Sequence, residues 1–355
     1  EHVPGTAVRA GAGRLQFAVL VQHGLNSGIT SWFSLMRLNH LMADGQNILV
    51  TGATGYIGGR LIHPLLDAGH RVRVMTRNES HLHGRTWLEA VEVAQGDVLD
   101  PDSLAAILDG IDVAYYLIHS MDDAGEFAER DHRAARNFAV AAAQSGVRQI
   151  IYLGGLGHAT DGLSKHLSSR QQVGDTLREH HTGVTELRAA MVVGSGSLSF
   201  EIVRNLTERL PVMIAPRWLY TRSQPIAIRD VLDYLVAAIG RSDVAGQVVE
   251  IGGADVLAYR DMLLAYARAR GLRRFLVPVP VLTPRLSSYW VHMVTPVSAN
   301  LVRPLVEGLR NEMIVTDDAA ARLFPNVRPM SFRAALEEAL GELDAQEVET
   351  SWADS

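Results

Sequence analysis

With 355 residues the chain can hold one large α/β domain and an appendage, or two domains. A formal charge of -6 lacks the basic excess of a general nucleic-acid binder, and without cysteine there is no disulfide, thiol nucleophile or thiolate-bound zinc. Composition is that of an ordinary globular protein, 47% apolar and 20% charged, and no run reaches the roughly 18–20 apolar residues of a spanning helix. Lack of cysteine suits the cytoplasm. Of the 33 basic residues only Lys165 is lysine, so a single arginine is weak evidence of selection for guanidinium chemistry.

Residues 1–43 read as an extension outside the core. They mix Gly-rich turns with a moderately apolar piece, Leu15 to Val21, and lack the n-region, h-region and cleavage site of a secretory signal. Either this is an upstream extension, with the native start near Met36 or Met42, or it is an arm that meets a partner or, weakly, a membrane surface.

The core, residues 44–195, opens with Ile48-Leu49-Val50, a buried strand. It passes at once into Gly52, Gly55 and Gly58 and then into a helical pattern through Ile57, Leu61, Ile62, Leu65 and Leu66. Glycine there lets a pyrophosphate approach the backbone, and the helix points its N–H groups and positive dipole end at it. Gly69 reads as a left-handed cap.

A second strand, Val72 to Met75, ends at Thr76 and Arg77. No Asp or Glu stands between His70 and Asn78 to hold ribose hydroxyls, so Arg77 favours a 2′-phosphate and hence NADP, with NAD possible. The third strand, Val91 to Ala94, ends in Gly96-Asp97-Val98, and Asp100-Pro101 offers an N-cap and N1 proline. A fourth strand, Val113 to Ile118, leads to His119. A helix through Phe127, Phe138 and Ala141 closes at Gly146. The fifth strand, Ile150 to Leu153, ends in Gly154-Gly155, a helix covers about 163–179, and a sixth strand runs from Val184 to Leu187.

Such alternation predicts an α/β fold with a doubly wound parallel sheet. Its loops share one edge, where the glycine loop, Arg77, Asp97, His119, Gly154, Gly155 and 189–194 should line a crevice. Residues 196–345 predict a small irregular C-terminal substrate lobe. There 195–225 carry polar turns, Pro211, Pro216 and an aromatic pair, Trp218 and Tyr220, and helices are expected near 229–239, 259–270 and 332–343, with a strand at 248–251 returning to the sheet. Residues 275–306 are interrupted by prolines, and the acidic tail 346–355 reads as frayed.

Thr51-Gly52-Ala53-Thr54-Gly55-Tyr56-Ile57-Gly58 resembles the TGxxGxxG fingerprint of the extended and atypical short-chain dehydrogenases/reductases, which have a Rossmann fold. Gly96-Asp97-Val98, the Asn137-Phe-Ala-Val-Ala-Ala helix and Gln224-Pro225-Ile226 with Asp230 resemble further segments of that family, in the expected order over roughly 47–270. The resemblance implies a nicotinamide cofactor touching Gly52, Ala53, Thr54, Gly55, Tyr56, Ile57 and Gly58, then Asp97, Val98, Leu117, His119, Gly154 and Arg170. It implies a small-molecule substrate, a carbonyl, alcohol or quinone.

The catalytic signature departs from the family. Its Tyr-x-x-x-Lys cannot occur, because Asp161 stands four residues before the only lysine, and glycines 154 and 155 replace its serine. His166-Leu-Ser-Ser-Arg170 occupies the helix instead and keeps the i, i+4 geometry. This resembles the atypical branch with His-x-x-x-Arg. Histidine can act as acid or base near neutrality, and Arg170 can bind ribose or depress the His166 pKa. The alternative is a catalytically inactive NAD(P)-binding sensor or assembly protein. An isomerase or epimerase shares the fold but keeps the tyrosine.

Other constellations are weaker. His180-His181 reads as exposed beside a Thr-Gly turn, and His81 with His83 lacks carboxylates for a metal. Asp122, Asp123 and Glu126 either face substrate or sit in a solvated loop. Trp218, Tyr220, Tyr289 and Trp290 are pocket walls or core.

Overall fold

Strand β1 (Asn47–Thr51) has its four residues Ile48–Thr51 buried on both sides, as an unbroken apolar run requires at the centre of a parallel sheet. The computed structural model describes residues 45–119, 127–158, 162–279, 306–345, 348, 350 and 351. The chain falls into two units, Glu1–Gly45 and Gln46–Ser355; the sheet and lobe belong to the second.

Around β1 lie β2 (Arg71–Thr76), β3 (Glu92–Gln95), β4 (Val113–Tyr116), β5 (Gln149–Gly155), β6 (Val184–Ala189) and β7 (Val248–Ile251). They form a seven-stranded sheet in the order β7-β6-β5-β4-β1-β2-β3, with every neighbouring pair parallel. Successive side chains point to opposite faces: Ile48, Val50, Val113 and Tyr115 join one apolar core, and Leu49, Ala114 and Tyr116 another. Helices α1 (Tyr56–Asp67) and α6 (Ile228–Ala237) cover the first face. Helices α2 (Pro101–Leu108), α3 (Phe127–Gln144) and α4 (Lys165–His180) cover the second. This is the expected doubly wound sheet, and its strand order reverses between β1 and β4.

Local chemistry sets the boundaries as read. Asp100 caps α2 by accepting from the Asp102 N–H at 3.3 Å, with Pro101 at N1. Gly69 and Gly146 end α1 and α3 with φ of 84° and 77°, where an L side chain is strained.

The lobe differs from expectation. Residues 195–225 are not all turns, because α5 (Leu198–Arg209) starts there, capped by Ser197 Oγ accepting from the Phe200 N–H at 3.2 Å. The serines ahead of it mask a helical stripe through Phe200, Val203 and Leu206. That stripe joins α7 (Tyr259–Ala269), α8 (Phe332–Asp344), Trp218 and Leu219 in a separate lobe core. Gln224 and Asp230 staple lobe to sheet: Gln224 Nε2 donates to Gly253 O at 2.8 Å, and Asp230 Oδ2 accepts from the Met330 N–H at 2.9 Å.

Two further readings need correction. His181 is not exposed: its ring is buried, Nε2 lying 2.8 Å from Val147 O while Nδ1 accepts from the Gly183 N–H at 3.1 Å. The tail is not wholly frayed either. Thr350 is buried, and its Oγ1 donates to Tyr56 O at 2.9 Å. A Cβ on Gly59 would stand 2.7 Å from Thr350 Cγ2. Acidic composition hid one well-seated threonine.

Candidate functional site

The site begins where β1 ends. The Thr51 hydroxyl donates to Tyr115 O at 2.9 Å and accepts from the Leu117 N–H at 3.1 Å, tying β1 to β4 at the point of strand reversal. Gly52 follows with φ 71°, and a Cβ on it would sit 2.7 Å from Leu117 O. At Gly58 a Cβ would lie 2.2 Å from Gly52 O. Those two glycines are demanded by the loop's own fold.

Gly55 is different. Its extended φ of -82° suits any residue, and an added Cβ would meet only Gly52 O, at 3.3 Å. It stands ahead of the first turn of α1, where N–H groups are free to bind an anion and a bare backbone leaves room for one. A pyrophosphate fits that cradle.

Along the sheet edge one cavity of about 920 Å³ collects Gly52, Thr54, Gly55, Tyr56, Ile57, Gly58, Arg77, Asp97, Val98, Leu117, His119, Gly154, His166 and Arg170. Of the residues expected there, Ala53 is the exception. It is 1% exposed and packs beneath the loop in the core with Leu61 and Leu65, so only its backbone belongs to the turn. Within 189–194, Ala189 to Val192 line the cavity. Val193 is buried in the lobe core instead, and a Cβ on Gly194 would stand 2.3 Å from the Tyr56 hydroxyl.

Arg77 is exposed at the end of β2, and its backbone O accepts from Gln95 Nε2 at 3.1 Å. No ion pair engages its guanidinium among the described residues. Asp97 Oδ1 accepts from the Leu99 N–H at 2.9 Å, and Asn137 Nδ2 donates to Val98 O at 3.0 Å, which fixes the loop after β3 against α3.

His166 and Arg170 lie one turn apart on α4, whose N-cap Ser164 accepts from the Leu167 N–H at 3.3 Å. The Arg170 guanidinium donates to Leu153 O and lies 5.5 Å over the Tyr152 ring, while the Tyr152 hydroxyl donates to Arg170 O at 2.9 Å. Arg170 therefore braces α4 on β5. Desolvation, and then the Arg170 charge, lower the His166 pKa from 6.5 to about 4. His119, after β4, is solvent-accessible through the cleft. Its pKa is also lowered, by enclosure and then by Arg170 and His166; water in the cleft mutes the first cause and leaves the charge repulsion.

The serine position is filled. A Cβ on Gly154 would lie 2.8 Å from Glu186 Oε1, one on Gly155 3.0 Å from Leu167 Cδ2, and one on Gly174 2.2 Å from Glu186 Oε2. Glu186, wholly buried, bonds Arg188 Nε at 2.7 Å and pairs with Arg178. Sequence reasoning passes over Glu186; the only signal is Gly174 in the middle of a helix.

Beyond His166 the cavity turns apolar, walled by Met191, Leu198, Ile202, Leu206, Trp218 and Leu263. Met191 and Trp218 are among the residues expected to line the site; Leu198, Ile202 and Leu206 come from α5, which the sequence pattern does not reveal. Tyr220 is 44% exposed and stacks with Arg260. Tyr289, Trp290, Asp122, Asp123 and Glu126 lie outside the described residues. Among the described residues no group of His, Asp and Glu is placed to hold a metal, and no helix is long and apolar enough to cross a membrane.

Residues 52–206 match a protein family described as NAD(P)H-binding. The chain is 36% identical over 122 residues to the 3 beta-hydroxysteroid dehydrogenase/Delta 5-->4-isomerase of Mycobacterium tuberculosis, over 32% of this chain and 32% of that one. It thus spans about a third of that relative. It is 27% identical over 294 residues to sterol demethylase protein B of Methylococcus capsulatus, covering 79% of this chain and 84% of the other. A solved triphenylmethane reductase of Citrobacter sp. superposes with a TM-score of 0.67 at 18% identity, over 83% of this chain and 99% of its own. At that identity the likeness concerns the fold.

Proposed function

We propose, on the premise that this chain is an NAD(P)-binding Rossmann protein of the atypical, epimerase-like short-chain dehydrogenase/reductase type, that it oxidises or reduces an apolar alcohol or carbonyl. One observation carries the reading. A single cavity runs from the glycine loop past His166 into an apolar chamber, so cofactor and apolar substrate meet beside a titratable side chain. The hydroxysteroid and sterol in the two relatives' names fit the same substrate class. When bound, the nicotinamide supplies or accepts the hydride.

The protein's own residues do the rest. His166 is the acid/base at the substrate oxygen. With its pKa near 4 it is neutral at pH 7 and ready to take an alcohol proton. In the reducing direction it must give a proton as imidazolium, a form held by about one molecule in a thousand at pH 7. Arg170 is a positioning residue: braced on Leu153 and Tyr152, it fixes α4 and sets the His166 pKa. When a dinucleotide binds, Gly55 would admit its pyrophosphate, Asp97 and Val98 would contact the adenosine, and Arg77 would hold a 2′-phosphate. NADP is thus the preferred cofactor, with NAD possible.

The alternative is a cofactor-binding sensor without turnover. NADPH titration by fluorescence, followed by assays on apolar ketones, aldehydes and quinones, separates the two. Turnover that His166→Ala abolishes supports the enzyme; binding with no turnover on any of them overturns it.

A further inference from the structure

We propose that the outer face of the substrate lobe docks on an anionic lipid bilayer. The strands Val212–Ala215 and Phe275–Pro278 form a parallel ribbon with Phe275 beside Val212 and Val277 beside Ile214. One face, Met213, Ala215 and Leu276, packs into the lobe core. The other presents Val212, Phe275 and Val277, which are 54%, 65% and 47% exposed, with Ile214 between them. A two-stranded ribbon with one solvated face is expected to turn polar side chains outward. This one is apolar on both faces.

Beside Phe275 opens a cleft of about 310 Å³ whose floor is Leu264, Ala267 and Leu272 and whose rim is Arg268, Arg273 and Arg274. Arg268 and Arg273 are exposed and make no ion pair among the described residues. Arg274 donates to three backbone carbonyls, those of Thr207, Glu208 and Arg273, and to no carboxylate. Glu208, on neighbouring α5, is already engaged by Arg204, Arg270 and the Tyr266 hydroxyl.

The local charge runs against that of the chain. In a protein of net charge -6, the described stretch from Met262 to Val279 holds four arginines and no Asp or Glu. Unpaired guanidinium groups around exposed aromatic and β-branched side chains match lipid phosphates above an acyl boundary. A second copy of the chain would bring the same positive rim and repel it. The surface also adjoins the chamber: on α7, Leu263 lines the large cavity while Leu264 and Ala267 line the outer cleft. Docking does not depend on the proposed chemistry.

Vesicle co-sedimentation of the full chain tests this, with phosphatidylcholine alone and with phosphatidylglycerol added, at low and high salt. The chain should pellet with the anionic vesicles and be released by salt. Arg273→Ala should weaken binding about fivefold, and Phe275→Ser roughly tenfold. Both variants should keep wild-type melting and NADPH fluorescence, so a failure of docking is distinguishable from a failure of cofactor binding. Absence of pelleting, equal pelleting with neutral vesicles, or binding unchanged in both variants overturns the proposal. So does a dimer that Phe275→Ser dissociates, since a second copy would then be the occupant.

Discussion

Substituting alanine separately at Gly55 and Gly58 distinguishes a glycine needed by the fold from one needed by the ligand. At residue 58 the new Cβ would lie 2.2 Å from Gly52 O and 2.7 Å from Gly52 C, backbone atoms of the same loop with nowhere to retreat. Overpacking of that kind costs about 3 kcal/mol or more, and at about 2 °C per kcal/mol for a chain of this size the melting point falls by about 6 °C. At residue 55 the backbone is extended and the only neighbour is Gly52 O at 3.3 Å, so folding loses about 1 kcal/mol or less. Cofactor binding behaves in the opposite way. A methyl at 55 keeps the phosphates from the α1 N–H groups, and losing two charge-assisted hydrogen bonds of about 1.5 kcal/mol each is roughly a hundredfold in Kd. Apo-protein melting and NADPH fluorescence titration read the two effects separately. If Gly55→Ala binds NADPH as tightly as wild type, or Gly58→Ala melts with it, the division of labour in the loop is wrong.

His166→Ala should lower kcat by about 10² to 10⁴ while leaving the NADPH Kd within about twofold. In the wild type, reduction should speed up as pH falls toward the His166 pKa near 4, and oxidation should be lost as pH drops through it. A reduction rate that is flat across that approach excludes His166 as the proton donor. Arg77→Ala should weaken NADPH by roughly 10- to 100-fold and NADH by less than about twofold, as removal of a charge-assisted phosphate contact predicts; equal losses sink the 2′-phosphate assignment. Glu186→Gln leaves Arg188 without its carboxylate, while Arg178 keeps Asp175, and should destabilise the fold by about 2–3 kcal/mol in denaturant unfolding. An unchanged midpoint would show that those arginines find solvent instead.

What the sequence made legible was local. Three glycines between an apolar run and a helical stripe, Asp100 before Pro101, and Gly69 and Gly146 after their helices each act within a few residues, so spacing alone reveals them. Features assembled from distant segments stayed hidden. Glu186 reads as one more strand residue until Gly154, Gly174, Arg178 and Arg188 close around it. Thr350 finds its partner at Tyr56, 294 residues away, and His181 is buried because Val147 and Gly183 offer it hydrogen bonds. The pairing of His166 with Arg170 was legible from the helical repeat. That Arg170 would face the Leu153 carbonyl and the Tyr152 ring was not, since both come from β5.

That bracing bears on whether the site has decayed or been rebuilt. A decayed site would leave empty the space that a serine at the end of β5 would use. Here Glu186 Oε1 and the Leu167 side chain occupy the volume above Gly154 and Gly155, and Gly174 is glycine so that the same carboxylate fits from the other side. Arginine at 170 is equally specific, because it forks onto a carbonyl while stacking on an aromatic face and stays charged at any working pH, which a lysine does not do. A permanent cation one helical turn from His166 keeps the imidazole neutral, the state needed to accept a proton rather than to store one. Reinstating serine at 154 should therefore collide with Glu186 and lose stability without gaining activity. The residues around α4 form a mutually dependent set, and it is this set, rather than the missing tyrosine and lysine, that defines the proposed chemistry.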